Sequence, residues 1–416
     1  MSASGPLRVA MVSMHTSPTA VAGRGDAGGM NVATLSTAME LARRGATVDL
    51  LTRAVGPAQS RTIAPGVTLH EVEAGPIGPL PKDRLAEVVD EFGEAVAVLT
   101  GRSAARYDII HAHYWLSGLA VLPVALELGI PLVESFHTVA ALTNATLRAG
   151  QPGQPVEPVE PERRVMTEMF LAHQASAIVA GSAAEATALI DLARAPADKI
   201  WVVPPGVDLE LFRPGLPPDD SGSRFRDALH IAPARPILAV VGRIQPLKDQ
   251  ELAIRALALL PDERPVLVIA GEPTPGEEKY RDRLSALADE LGIGDDVRFV
   301  GALGRGEVAE LFAAASLTVI PSRVETFGLV ALESAASGTP VVAFHGSGLV
   351  ESVADGTSGV LVRSREAEDW ARVIARLLND RHALAELSLT ARHHAEAFSW
   401  AATATSLLGV YASLRR

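Results

Sequence analysis

Two glutamates, Glu325 and Glu333, stand eight residues apart in the stretch PSRVETFGLVALESAASGTPVVA, residues 321–343. The stretch reads as strand end, loop, helix, turn and strand. Leu317 to Ile320 end an apolar run, Glu325 to Gly328 open a helix, Gly338 closes it, and Pro340 starts the strand Val341 to Phe344. At a rise of roughly 1.5 Å per residue the helical part between the acids covers about 10 Å. That is the reach from a sugar, past a diphosphate, to a ribose. Between the acids, the N–H groups of Thr326, Phe327, Gly328 and Leu329 lie at the expected helix N-terminus, whose partial positive charge suits phosphate. Gly328 has no Cβ and lets a ligand approach the backbone. Taken alone, the two acids read as those of an ordinary helix.

Other residues of the right chemistry follow apolar runs. In VGRIQPLK, residues 241–248, Arg243 offers a two-pronged donor for phosphate oxygens and Lys248 a point charge; a solvated basic pair is the plain alternative. In GRGDAGGMN, residues 23–31, Gly28 and Gly29 allow the backbone to close on an anion, and a flexible loop is the alternative. The run is not a full G-x-G-x-x-G, so a dinucleotide site is not supported. His111, His113 and Tyr114 end one apolar run, and His137 and Thr138 another. A metal site there lacks a neighbouring carboxylate or a D-x-D; Asp219 and Asp220 fall in the linker, and His111 reads as structural.

These residues are positioned by a chain of 416 residues, too long for one usual core and suited to two domains. Strands are expected at 8–15, 47–53, 67–72, 108–113, 132–136, 177–180 and 199–203, with helices at 31–44, 82–99 and 162–174 between them. After the Pro- and Gly-rich PPGVDLELFRPGLPP, residues 204–218, the alternation resumes with strands at 237–241, 266–270, 297–300, 317–320, 341–344 and 359–362. A last helix starts near Ser399 and Trp400. Such alternation gives an α/β fold of two doubly wound, mostly parallel sheets facing a cleft, with ligands outside the carboxyl ends of the strands. The biased segment Gln151 to Pro161 reads as a mobile loop. The formal net charge of −12 argues against nucleic acid as partner. With no cysteine there is no disulfide, thiolate nucleophile or cysteine-bound metal. The N-terminus reads as a strand rather than a signal peptide, and no apolar run reaches the roughly 18 residues of a membrane span, so a soluble cytoplasmic protein is expected.

In combination, GDAGGMN, HAHYWLSG, FHTVAALTN, VGRIQPLK and ETFGLVALE resemble the retaining glycosyltransferases of family 4, which have the GT-B fold of two Rossmann-like domains. Their order and spacing are most similar to the mycothiol-pathway enzymes that transfer N-acetylglucosamine to inositol phosphate, with sucrose-phosphate synthase a more distant cousin. The resemblance implies that Glu333 holds ribose hydroxyls and Glu325 a sugar hydroxyl. It implies that Arg243, Lys248, Gly28, Gly29 and the backbone from Thr326 through Phe327 and Gly328 to Leu329 hold the diphosphate, and that His137 lies beside the donor sugar. Asn31, Lys82, Tyr114, Thr138 and Arg164 match positions that hold the acceptor and its phosphate, with Arg163 a substitute for Arg164. Three stretches depart from the subgroup: PSRVETFG where an aromatic and Ser are usual, Thr143 in place of Lys, and GSGL at 346–349 in place of GGL-P.

The resemblance thus implies retaining transfer of a hexose, N-acetylglucosamine from its UDP donor in the first instance, to a small anionic acceptor such as inositol phosphate. A GDP-sugar donor, or a natural-product or small-thiol acceptor, is the alternative left by the departures. No cofactor or metal is implied beyond the nucleotide sugar, and a homodimer is allowed. The expected layout is an acceptor-binding domain at 1–205, a linker at 206–218, a nucleotide-sugar-binding domain at 219–395, and a helix at 396–416 that returns to the first domain.

Overall fold

Apolar strands that are buried on both sides build two separate sheets. The computed structural model describes residues 5–102, 106–149, 160–214, 221–261 and 263–415. The first sheet holds β1 (Arg8–Val12), β2 (Thr47–Arg53), β3 (Gln59–Ala64), β4 (Val67–Val72), β5 (Ile109–His113), β6 (Leu132–Ser135), β7 (Ala177–Ala180) and β8 (Ile200–Val202), in the order 3-4-2-1-5-6-7-8. The second holds β9 (Ile237–Val241), β10 (Val266–Ala270), β11 (Val297–Gly301), β12 (Leu317–Ile320), β13 (Val341–Phe344) and β14 (Gly359–Val362), in the order 11-10-9-12-13-14. Pairing is parallel except between β3 and β4.

The period of two along each strand decides which core a side chain joins. On β1, Val9 and Met11 enter one cluster with Leu41, Leu50 and Tyr411, while Ala10 and Val12 enter another with Phe92, Leu116 and Phe136. On β9, Leu238 and Val240 pack with Trp370, and Ile237 and Ala239 with Phe212 and Phe312. Both faces of each sheet are therefore covered, which is what near-continuous apolar strands require. Amphipathic helices supply the cover. In the helix Ala367–Asn379, Trp370, Ala371, Ile374 and Leu377 are buried at helical spacing.

The chain forms two compact units. One comprises residues 1–20, 29–204 and 400–416, the other residues 21–28 and 205–399. The last helix, Trp400–Leu414, belongs to the first unit and buries Ala404, Leu407, Val410 and Tyr411 against Val9 and Leu50. The segment expected as a linker at 206–218 is counted with the second unit as far as it is described, and it buries Val207 and Phe212 in that unit's core. Asp219, Asp220 and residues 150–159 of the biased segment lie outside the described residues.

Three expectations are corrected. The strand β3 was not foreseen, because QSRTIA is polar and largely exposed; it is an antiparallel edge strand joined to β4 by Pro65 and Gly66. Lys82 does not open a helix. It lies in a turn, followed by the 3₁₀ turn Leu85–Val88 and the helix Val89–Arg102, since Pro81 and Asp83 favour a turn. Glu325 to Gly328 precede the helix, which runs only over Leu329–Ala336. Gly328 has φ 99°, a left-handed conformation that cannot continue into a helix and that glycine adopts without cost.

In each sheet the strand order reverses beside the first strand of the unit: β1 lies between β2 and β5, and β9 between β10 and β12. Ligands of such sheets bind beyond the carboxyl ends of the strands at this switch.

Candidate active site

In the second unit, Arg243 follows β9 and Glu325 follows β12, the two strands that flank the switch. The segments after these strands are tied together. Arg323 donates its backbone N–H to the Leu247 carbonyl at 2.9 Å, and its guanidinium lies 2.9 Å from Asp249. Arg365 also pairs with the Asp249 carboxylate. Lys248 Nζ donates to Glu325 Oε1 at 2.5 Å. Arg243 Nη1 lies 3.5 Å from Asp26 Oδ1, in the Gly-rich loop at residues 21–28. A Cβ placed on Gly28 would stand 3.9 Å from Arg243 Nε, so the loop backbone runs beside the guanidinium. Gly29 begins the helix Gly29–Arg43 and is counted with the first unit.

Glu325 is fixed by its backbone. Its N–H donates to Ser347 Oγ at 2.9 Å, and its carbonyl accepts from Gly348 N–H at 2.8 Å. Thr326 and Phe327 follow in irregular backbone. The Phe327 side chain is buried against Phe398 and is not available to a ligand. Glu333 lies in the second turn of the helix Leu329–Ala336, where its Oε1 accepts from Arg305 Nη1 at 2.9 Å. Burial raises the Glu333 carboxyl above the usual glutamate range; Arg305 opposes this and Asp208 adds to it. The helix itself accounts for only about 6 Å of rise, from Leu329 to Glu333, and irregular backbone spans the rest of the way to Glu325.

In the first unit, Tyr114 follows β5 and His137 follows β6, with φ of 78° and 60°. Left-handed backbone at a bulky residue stores strain, and such strain clusters at functional sites. The pairing of His113 with Ser135 in the sheet sets these two residues side by side. Four residues far apart in the chain then converge on Tyr114. Lys82 Nζ is 5.2 Å from its ring centre, Arg164 Cζ 4.7 Å, and the His15 ring 4.2 Å. Arg164 Nη2 donates to Thr138 Oγ1 at 2.7 Å, which brings in the fourth. The Tyr114 hydroxyl is buried and has no hydrogen-bond partner among the described residues. Asn31 is buried at the start of its helix and donates to Thr16 Oγ1 and the Ser17 carbonyl.

The histidines form a stacked row. His111 Nδ1 is 2.6 Å from the Tyr411 hydroxyl and its Nε2 2.9 Å from Ser135 Oγ, so it is the satisfied structural histidine the sequence suggested. His113 Nδ1 and His137 Nε2 share a hydrogen bond at 2.8 Å. Burial lowers all three: His111 to about 3, His137 to about 4, and His113 well below its ordinary value, with neighbouring histidines adding to the shift of His111 and His113. The row is neutral at ordinary pH. No group of three or more His, Cys, Asp or Glu side chains able to hold a metal ion occurs among the described residues.

The sites therefore gather within each unit most of the residues singled out from the sequence. Sequence reasoning missed Arg305, Asp249, Arg323 and Arg365 in the second unit, and His15 and Glu168 in the first. Asp249 follows Lys248 directly and His15 ends the first apolar run, so position offered a signal for these two. The others are separated in the chain from what they touch. Arg163, the substitute for Arg164, is exposed, whereas Arg164 is buried.

Comparison with known proteins agrees with this layout. Residues 27–211 match the model of Glycosyltransferase Family 4, and residues 223–394 that of Glycosyl transferases group 1. The chain is 42% identical to the D-inositol 3-phosphate glycosyltransferase of Stackebrandtia nassauensis, over 98% of this chain and 91% of that one. It is 43% identical to the protein of the same name from Acidothermus cellulolyticus, over 98% and 90%. Among solved structures, sucrose-phosphate synthase from Thermosynechococcus elongatus superposes with a TM-score of 0.87 at 28% identity, covering 98% of this chain and 99% of that one. HepE of Anabaena, in complex with UDP and glucose, shares the fold with a TM-score of 0.76 at 21% identity, over 98% and 100%. No helix among the described residues is long and apolar enough to cross a membrane. Two doubly wound sheets, sites at both switch points and full-length relatives at this identity lead to one conclusion: the chain is a GT-B glycosyltransferase and belongs to the family of the D-inositol 3-phosphate glycosyltransferases.

Proposed function

We propose that the chain transfers N-acetylglucosamine from UDP-N-acetylglucosamine to inositol phosphate with retention of anomeric configuration, and that it works in the cytoplasm. The convergence of Lys82, Thr138 and Arg164 on Tyr114 carries the reading, because cations and hydroxyls around one point suit a small anionic acceptor. The first unit would hold the acceptor, with Asn31 at its edge. The second would hold the donor. Arg243, Lys248, the Gly28–Gly29 backbone and the segment from Thr326 to Leu329 would meet the diphosphate. Glu333 would accept from the ribose hydroxyls and Glu325 from a sugar hydroxyl. His137, neutral and fixed by His113, would lie beside the donor sugar.

Charge that develops on the departing diphosphate would be met by cations already in place, an electrostatic term that needs no reorganisation at the moment of reaction. No side chain is assigned as nucleophile; retention would follow from attack on the face that the leaving group departs. The departures at Arg323–Val324, Thr143 and Ser347 favour one second reading, another hexose or acceptor on the same machinery. The test is to incubate the purified chain with UDP-N-acetylglucosamine, UDP-glucose or a GDP-sugar, each with inositol 3-phosphate or free inositol. Formation of an α-linked product only with UDP-N-acetylglucosamine and inositol phosphate is the expected result. Transfer from a different donor, or to free inositol equally well, overturns the assignment of substrates.

A further inference from the structure

We infer that Arg53 is a positioning residue for the acceptor: it holds the backbone of the loop at residues 74–80 and so fixes where Lys82 is presented. The inference rests on the reading of the first unit as the acceptor-binding one.

The loop between β4 and the 3₁₀ turn cannot hold itself. Its sequence is AGPIGPLPK over residues 74–82, and Pro76, Pro79 and Pro81 have no N–H to give. It forms neither strand nor helix, and Gly75, Pro76, Ile77 and Pro79 are exposed. Arg53, at the end of β2, supplies what the backbone lacks. Its Nε donates to the Ala74 carbonyl at 2.7 Å, Nη1 to the Gly78 carbonyl at 2.9 Å, and Nη2 to the Pro76 carbonyl. No backbone N–H among the described residues donates to these three carbonyls. One planar fork thus sets three alternate peptides, which the single point charge of a lysine cannot span. Glu91 adds a tie from the helix Val89–Arg102, accepting from the Gly75 N–H at 2.6 Å.

Arg53 is buried, and its guanidinium meets carbonyl oxygens rather than a carboxylate. A buried cation without an opposite charge against it is costly. The loop it secures adds little to the core, where only Ala74 and Leu80 pack. What the loop carries accounts for the cost. Lys82 follows it directly, and beyond Lys82 the Arg84 and Leu85 N–H groups both donate to the Pro81 carbonyl, at 3.0 and 3.2 Å, with Leu85 buried in the core. Lys82 therefore stands between two anchors, the turn on one side and the Arg53 fork on the other. Its side chain is exposed, with Nζ 5.2 Å from the Tyr114 ring centre. With the fork removed the turn remains, but the path of the chain into it is no longer set, and neither is the place of Nζ.

Two measurements on the full chain test this with Arg53→Lys, which keeps the charge and loses the fork. The first needs no ligand: backbone order parameters from NMR relaxation at Gly75, Ile77, Gly78 and Lys82. Values near the rigid level of about 0.85 are expected in the parent, falling below about 0.6 in the variant while β5 and β6 stay rigid. Order parameters that do not change, or that fall equally through β5 and β6, overturn the inference. The second is a double-mutant cycle in the KM for inositol 3-phosphate. Arg53→Lys should raise this KM by about 10-fold, with kcat at saturating acceptor and the nucleotide Kd within about twofold of the parent. In a Lys82→Ala background the same change should add less than about twofold, since one residue acts through the other. A further increase of about 10-fold there means independent roles and overturns it. Should Arg53→Lys fail to fold, Glu91→Ala, which frees the Gly75 N–H from an exposed position, replaces it in both measurements. If the unmodified chain takes no inositol phosphate, the substrate reading fails, and the order parameters still decide whether Arg53 holds the loop.

Discussion

Gly348→Ala should damage donor binding without removing a single polar group. Gly348 packs directly on the segment that carries Glu325. A Cβ on this glycine would stand 2.1 Å from the Thr326 carbonyl oxygen, 2.4 Å from its carbon and 2.6 Å from Phe327 Cα. Real Cβ atoms essentially never approach closer than 3.0 Å. The backbone at Thr326 must therefore retreat by about 0.9 Å or more, and misplacement of about 1 Å at a site costs on the order of 100-fold in rate. Overpacking should also lower stability by about 1–3 kcal/mol. The strain cannot be shed easily, because Gly348 N–H is bonded to the Glu325 carbonyl and Ser347 Oγ to the Glu325 N–H. The assay is calorimetry with the nucleotide, beside transfer kinetics and a melting curve. A folded variant whose nucleotide affinity and turnover both stay within about twofold of the parent would show that this backbone does not face the donor, since a shift of that size at a site must be felt.

Glu333→Ala should weaken nucleotide binding by about 1.5–3 kcal/mol, the worth of a charged hydrogen bond, with calorimetry as the readout. Burial raises the Glu333 carboxyl, so lowering the pH protonates it earlier than an exposed glutamate; nucleotide affinity should fall with acid before exposed glutamates titrate, and Glu333→Gln should abolish that slope. Lys82→Ala should raise the acceptor KM by about 10-fold or more while nucleotide affinity is unchanged, as steady-state kinetics and calorimetry would show. Transfer should persist in EDTA if, as proposed, Arg243 and Lys248 meet the diphosphate with positive charge; activity that falls to background and returns with a divalent cation would reverse this.

Strand runs such as ILAVV at β9 and VLVIA at β10 were legible because a doubly covered strand is apolar throughout. The edge strand β3 was not, since four of its six residues are exposed and QSRTIA carries no apolar period. Helix starts were misplaced for a local reason. The run Glu325 to Leu332 has helical composition, yet Gly328 at φ 99° interrupts it, and composition does not reveal a single left-handed residue. At the first site, the positions of Tyr114 and Thr138 at strand ends were legible. Their convergence with Lys82 and Arg164 depends on pairing of β5 with β6 and on where the helix Glu162–Gln174 lies, neither of which a spacing encodes.

The same limit explains why the basic residues of the two sites looked alike in the sequence. Arg243 and Lys248 each face a carboxylate, Asp26 and Glu325, but all four side chains remain 17–25% exposed. Ion pairs open to water are worth little, roughly 0–1 kcal/mol, so a phosphate can replace the carboxylate at small cost. Arg164 faces two carboxylates while almost fully buried, and breaking such a pair leaves charge stranded in a poor solvent at a cost of about 3–5 kcal/mol. Burial, which no local pattern of residues gives, thus separates ion pairs that are open to water from pairs that are closed to it.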